Sequence, residues 1–351
     1  MLIKEVMYGL NDVSIIPASV SKVSSRKEVN PYIVDENLKN LLGVTNNMLP
    51  LFTAPMFNVV GSDSYKDYEN NSIIPIIPRT ENLESRIEFS KSNWVAFGLN
   101  EFKNVFLKPE LNSERNYVLI DIANGNMKIL MDYITEAKKI HGNKIVIMAG
   151  NVANPLTYIE LSNAGADFVR VGIGGGLGCT TTSNVGIHYS LASLIDECRT
   201  IRKSYLKPAR IIADGGIRGY SDIIKCLALG ADFVMCGSLF NKMYESSGNQ
   251  YRNDQNIFKL WKYDGHELYS DYFGMSTKKA QQLMGNTNLK TGEGRFTTQR
   301  IEYTMSGWAE NFTDYLKSAM SYCGVTELKY FNPYNVNLKL LSSNAYSAIN
   351  K

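Results

Sequence analysis

The sequence predicts an α/β fold, a single-domain (β/α)8 barrel, and three observations carry that expectation. Short apolar runs rich in β-branched residues recur with helix-like segments between them, the pattern of repeated βα units around a parallel sheet. Eight such runs can be counted. Glycine-rich segments follow the sixth, seventh and eighth, where a barrel places its ligand loops; an open doubly wound sheet fits that order less well.

The expected strands are Leu51 to Ala54, Ile73 to Ile77, Trp94 to Phe97, Tyr117 to Asp121, Lys144 to Met148, Asp167 to Val171, Arg210 to Ala213 and Asp232 to Cys236. Continuous runs such as Ile145-Val146-Ile147-Met148 suit strands buried on both faces. Asn163-Ala164-Gly165-Ala166-Asp167 and Leu229-Gly230-Ala231-Asp232 share one signature, in which glycine ends a helix and the chain turns into the sheet. After the eighth strand, residues 241 to about 302 are polar, interrupted by glycine and weakly periodic. They read as an extended active-site loop. Trp308, Phe312, Leu316 and Met320 stand at helical spacing, which predicts the last barrel helix over Trp308 to Tyr322. An aromatic, Asn-rich tail from about Tyr330 reads as loosely packed or as a subunit contact.

With 351 residues at 44% hydrophobic content, the chain can bury one large core, and the fold reading assigns residues 1–351 to one domain. A net charge of +3, evenly spread, argues against nucleic acid or a membrane surface as partner while leaving an acidic small molecule. Five cysteines without CxxC or Cys/His spacing support neither a disulfide framework nor zinc, and the setting reads as cytoplasmic. No stretch approaches the roughly 18 apolar residues of a membrane span. His141, His188 and His266 are isolated and form no metal triad.

The run Gly172-Ile173-Gly174-Gly175-Gly176-Leu177-Gly178-Cys179 exposes consecutive backbone amides and carbonyls, able to hold an anion or a cation, and ends on a thiol. A thiolate needs such a polar, partly open setting, so Cys179 is a candidate nucleophile; the alternative is a small apolar residue in a tight turn. Asp214-Gly215-Gly216 and Gly237-Ser238 follow the next two strands, the loops that commonly cradle phosphate in such barrels, with Asp214 placed to accept from a ribose hydroxyl or merely to cap a turn. Asp121-Ile122-Ala123-Asn124-Gly125 and Tyr272-Phe273-Gly274-Met275-Ser276 add polar groups to the same rim.

At these residues the sequence resembles the family of IMP dehydrogenases and GMP reductases. Asn11-Asp12-Val13, Met148-Ala149-Gly150-Asn151-Val152, Glu245-Ser246 and Glu293-Gly294 extend the match over nearly the whole chain. Only a short segment separates Arg79 from Trp94, where the dehydrogenases insert CBS domains, and no Arg-Tyr pair occurs between Met275 and Glu293. The resemblance therefore favours the reductase branch: NADPH-dependent reductive deamination of GMP to IMP and ammonia through a covalent cysteine thioimidate. It implies Cys179 as nucleophile, with Thr181 and Glu293 handling the proton of the departing amine. It further implies Asp214 on the ribose, Gly215, Gly216, Gly237 and Ser238 on the phosphate, and Tyr272, Gly274, Met275 and Ser276 on the substrate's purine side. Arg79, Asp121, Ala123 and Asn124 would face NADPH, and Gly174 and Gly176 would hold potassium. A purine nucleotide monophosphate as ligand and a homotetramer as assembly belong to the same expectation.

Four positions depart from the family pattern. Leu177 replaces a serine, Thr182 an arginine, Phe57 an aspartate and Arg79 a lysine. Loss of one neutral phosphate hydrogen bond costs about 0.5 to 1.5 kcal/mol, too little to exclude a nucleotide. Two other readings stay open, an IMP dehydrogenase without CBS domains and a divergent nucleotide-binding protein with altered substrate or no turnover.

Overall fold

The structure, a computed structural model, describes residues 6–109, 115–252, 255–257, 267–285, 292, 294–342 and 345. Strand β1 (Val13–Ile16) precedes the barrel. The barrel strands are β2 (Leu51–Thr53), β3 (Ile76–Ile77), β4 (Trp94–Phe97), β5 (Asn116–Asp121), β6 (Ile145–Val152), β7 (Phe168–Val171), β8 (Arg210–Asp214) and β9 (Phe233–Cys236). They pair in parallel in the order β3-β4-β5-β6-β7-β8-β9-β2. A parallel bridge from Phe52 to Ile74 joins β2 to the approach of β3 and closes the ring. The eight expected strands are these eight, with ends shifted by a few residues and β6 running on to Val152.

The period-2 alternation of each strand sorts its side chains between two cores. Phe52, Trp94, Leu119, Met148, Phe168, Ile212 and Phe233 fill the barrel, whereas Val95, Val118, Ile147, Val169, Ile211 and Val234 face the surrounding helices. Inside, Phe168 meets Trp94 edge-on at 5.3 Å and Phe233 at 5.8 Å, geometry that aromatic quadrupoles favour. Among the described residues no helix is long and apolar enough to cross a membrane.

The repeated Gly-Ala-Asp signature has one explanation in both places. Gly165 and Gly230, each in the left-handed region, end helices Pro155–Ala164 and Tyr220–Leu229. The aspartate that follows then serves the preceding strand and a cation. Asp167 accepts from Ile147 N (2.7 Å) and Lys138 Nζ (2.6 Å), and Asp232 from Ile211 N (2.8 Å) and Arg202 (2.6 Å).

Two segments differ from the sequence expectation. The described part of 241–302 contains strands β10 (Gln250–Arg252), β11 (Gln255–Ile257), β12 (Tyr269–Phe273) and β13 (Phe296–Arg300) and a helix Lys278–Leu283. The strands form an antiparallel sheet in the order β11-β10-β12-β13. They are short and mix polar with aromatic residues in sequence, so no apolar run announces them. The described part of the tail is packed: β14 (Asn337–Leu340) pairs antiparallel with β1, from Val13 opposite Leu340 to Ile16 opposite Asn337, and Phe331 and Val336 are buried.

Candidate active site at the barrel mouth

The loops after the barrel strands enclose a cavity of about 800 Å³, lined by the Cys179 loop, the segments after β5, β8 and β9, and Gly274 to Ser276. Parallel strands deliver their C-terminal ends to one rim, so residues distant in sequence converge there. Among the five thiols, Cys179 alone is half-exposed and lines the cavity. Burial pushes the thiols of Cys198, Cys226, Cys236 and Cys323 up, which keeps them protonated. Cys179 Sγ donates to Thr181 Oγ1 at 3.3 Å.

Directly beneath lies a polar layer that closes the apolar barrel core. Arg170 follows Phe168 by two residues on β7, so its side chain also points inward, and only 6% of the residue is exposed. Its guanidinium donates to Asp121 Oδ1 at the end of β5 (2.7 Å) and to Asp214 Oδ2 at the end of β8 (2.8 Å). Gly150 makes the room: a Cβ there would lie 2.7 Å from Arg170 Cβ. Asn151 Nδ2 donates to the same Asp214 oxygen at 2.7 Å and to Gly172 O at 2.9 Å. Burial opposes the Arg170 charge, but Asp214 and Asp121 outweigh it and hold the guanidinium above its ordinary pKa. Both cavity carboxylates thus share one cation, which fixes their direction.

Backbone approaches backbone in the neighbouring cradle. A Cβ on Gly216, whose φ is +76°, would stand 3.3 Å from Gly175 O, so the loops after β7 and β8 touch only because both are glycine there. Gly237 and Ser238 close the far side with Tyr272, whose hydroxyl would lie 3.0 Å from a Cβ on Gly237. Burial pushes the Tyr272 phenol up, with Asp214 adding to the shift, so it stays a neutral donor. Gly274, Met275 and Ser276 line the cavity, and Gln281 Nε2 donates to Met275 O at 2.7 Å.

The Cys179 loop is stitched to the excursion. Cys179 forms an antiparallel bridge with Gly294, and Arg295 N donates to Gly178 O at 2.8 Å. Glu293 lies outside the described residues. On the cofactor side, Arg79, Asp121 and Ala123 line the cavity, whereas Asn124 does not; its side-chain oxygen accepts from Asn126 N at 3.3 Å. Arg79 is 3.5 Å from Glu101, which also takes Arg86 at 2.6 Å. The carbonyls read as potassium ligands are engaged within the loop, Gly174 O by Thr182 Oγ1 at 3.2 Å and Gly176 O by Cys179 N at 3.0 Å. Among the described residues no cluster of His, Cys, Asp and Glu could hold a metal ion.

The departures have distinct places. Leu177 is 52% exposed at the cavity wall, and Phe57 packs 6.4 Å from Phe273, which stacks on Phe296. Sequence reasoning missed Arg170, Asn151, Arg218, Lys242, Gln281 and Gln299 on this wall. Arg170 had a signal, a charged residue at an inward position of an apolar strand.

The chain is similar to known proteins over most of its length. Residues 96–347 match the family model described as IMP dehydrogenase / GMP reductase domain. A GMP reductase of Bacillus subtilis (strain 168) is 31% identical over 340 residues, 92% of this chain and 93% of its own length. A GMP reductase of Vibrio vulnificus (strain YJ016) is 28% identical over 350 residues, 96% of both chains. That of Onchocerca volvulus is 27% identical, across 91% of this chain and 82% of its own.

Proposed function

The chain belongs to the IMP dehydrogenase / GMP reductase family, and on that premise we propose that it reduces GMP to IMP and ammonia at the expense of NADPH. The observation that carries this reading is the single cavity-facing thiol, Cys179, within hydrogen-bonding distance of Thr181 on a loop packed against Gly215 and Gly216. The names of the relatives and the absence of an Arg-Tyr pair between Met275 and Glu293 favour reduction over dehydrogenation.

In this reading Cys179 Sγ bonds to purine C2, and the bond from C2 to its amine breaks as the nitrogen takes a proton and leaves as ammonia. Thr181 and Glu293 hold and pass that proton. A reduced nicotinamide held against Asp121 and Ala123 would supply a hydride to C2 of the resulting thioimidate. The C–S bond then breaks, returning its electron pair to Cys179. Asp214 accepts from the ribose hydroxyls, in the direction Arg170 and Asn151 set. Gly215, Gly216, Gly237 and Ser238 take the phosphate, Gly274 to Ser276 the purine edge.

Asp121, Ala123 and Arg79 form the wall that would hold the dinucleotide, and the carboxylate and guanidinium there fit its hydroxyl and phosphate groups. Asn124 would have to turn from its own loop to join them. Thr182 commits the Gly174 carbonyl inside the loop, so the donor set is not an open cation cage. Purified protein given GMP and NADPH should lose the reduced-nicotinamide absorbance and release IMP with ammonia in equal amounts. NADH formation from IMP and NAD, without the first reaction, would instead make it a dehydrogenase.

A further inference from the structure

Four cations line the cavity, and three have carboxylate partners: Arg170 with Asp121 and Asp214, Arg79 with Glu101, and Lys242 with Glu302 at 2.9 Å. Arg218 has none at ion-pair distance among the described residues. It is exposed at the mouth, two residues beyond Gly216, on the loop after β8 between the Cys179 loop and Gly237-Ser238. Its backbone N–H donates to Asp222 Oδ2 at 2.8 Å at the start of the next helix, and the guanidinium forms no ion pair there. Across the cradle stands exposed Leu177, which offers no hydrogen bond.

We infer that Arg218 is a phosphate-binding residue of this site, gripping the phosphomonoester of the nucleotide through its guanidinium where the wall at Leu177 contributes no donor. The inference rests on the nucleotide reading above and adds to it a residue and an ionic mode of binding. A planar guanidinium matches two phosphate oxygens at once, and a charge-assisted contact outweighs the neutral hydroxyl contact that Leu177 lacks. The position selects the substrate's phosphate rather than the dinucleotide's. Arg218 follows β8 beside the Gly215-Gly216 cradle, whereas Arg79 follows β3 and Asp121 ends β5.

Calorimetric titration of the full chain and of R218Q and R218K, with GMP, guanosine, NADPH and inorganic phosphate, tests it. R218Q should bind GMP roughly ten- to a hundredfold more weakly, R218K should fall between, and guanosine and NADPH should bind as before. Equal GMP affinity in R218Q and the parent overturns the role of Arg218 even if turnover of GMP is confirmed. Should the parent bind no GMP, the substrate reading fails, and inorganic phosphate then decides. Binding to the parent that R218Q loses sustains the phosphate site; no binding, or equal binding, ends it.

Discussion

At the scale of single residues, the site depends on which groups are left charged and which are paired. Cys179 differs from the four other cysteines by its place at the cavity, not by any sequence motif shared with them. A C179A variant should fold, bind GMP and show no turnover. A mass-spectrometric search for a protein–purine adduct should find one in the parent alone. Arg170 carries a different load, because deleting it leaves the half-buried Asp121 and Asp214 without the cation they share. R170M should therefore cost about 3 to 5 kcal/mol in urea unfolding, with nucleotide affinity weakened as the Asp214 carboxylate is left to Asn151 alone. R170K should recover only part of either, since an ammonium cannot reach both carboxylates with a planar fork. At Leu177 the expected change is opposite in sign. L177S should tighten GMP binding by about 0.5 to 1.5 kcal/mol through one added hydroxyl contact, and unchanged affinity would remove that residue from the phosphate wall.

At the scale of elements, the barrel was legible in the sequence and the excursion was not. Val118, Ile147 and Val169 stand in runs that are buried on both faces, so all eight barrel strands announce themselves. Tyr269-Ser270-Asp271-Tyr272-Phe273 gives no such run, because β12 buries its polar members against other polar groups. That signal exists only in three dimensions. Its hub is Asn241, fully buried, which donates to Asn58 O (2.7 Å), Ser270 Oγ (3.1 Å) and Asp271 O (3.0 Å) and accepts from Gln299 at 2.8 Å. Asn58 answers by donating to Phe273 O at 3.2 Å. N241A leaves several buried partners unsatisfied, at about 1 to 3 kcal/mol for each group that water cannot reach. Hydrogen exchange should quicken across β12 and β13 while the barrel strands keep their protection. N241D should be at least as damaging, since a carboxylate accepts but does not donate. The same reasoning explains the site residues that the sequence concealed. Glycine, aspartate and cysteine at strand ends read as chemistry, whereas Asn151 and Arg218 acquire meaning only from what the barrel places across from them.

At the scale of the whole molecule, buried titratable groups set the pH range over which the fold holds. On the acid side, burial works against the Asp232 carboxylate, but Arg202, Arg210 and the Ile211 amide outweigh it and hold its pKa below the ordinary value. Glu101 is lowered in the same way by Arg86, the Gly98 amide and Arg79, again against burial. A carboxylate with a depressed folded pKa contributes its stability above the unfolded value and loses it as pH falls through the folded one, which places this loss below about pH 4. On the alkaline side the thiols of Cys198, Cys226 and Cys236 are raised chiefly by burial. For these the contribution is complete below the unfolded thiol value and is lost as pH rises beyond it, from about pH 8.5 upward. Melting temperature should therefore be flat between those limits and fall outside both. D232N should lower the plateau and flatten the acid limb, because the variant has no proton to take up there. C226A should leave the acid limb as it is and soften only the alkaline one. An acid limb unchanged in D232N would show that the strand-entry aspartate does not govern acid stability, despite its contacts to Arg202, Arg210 and Ile211.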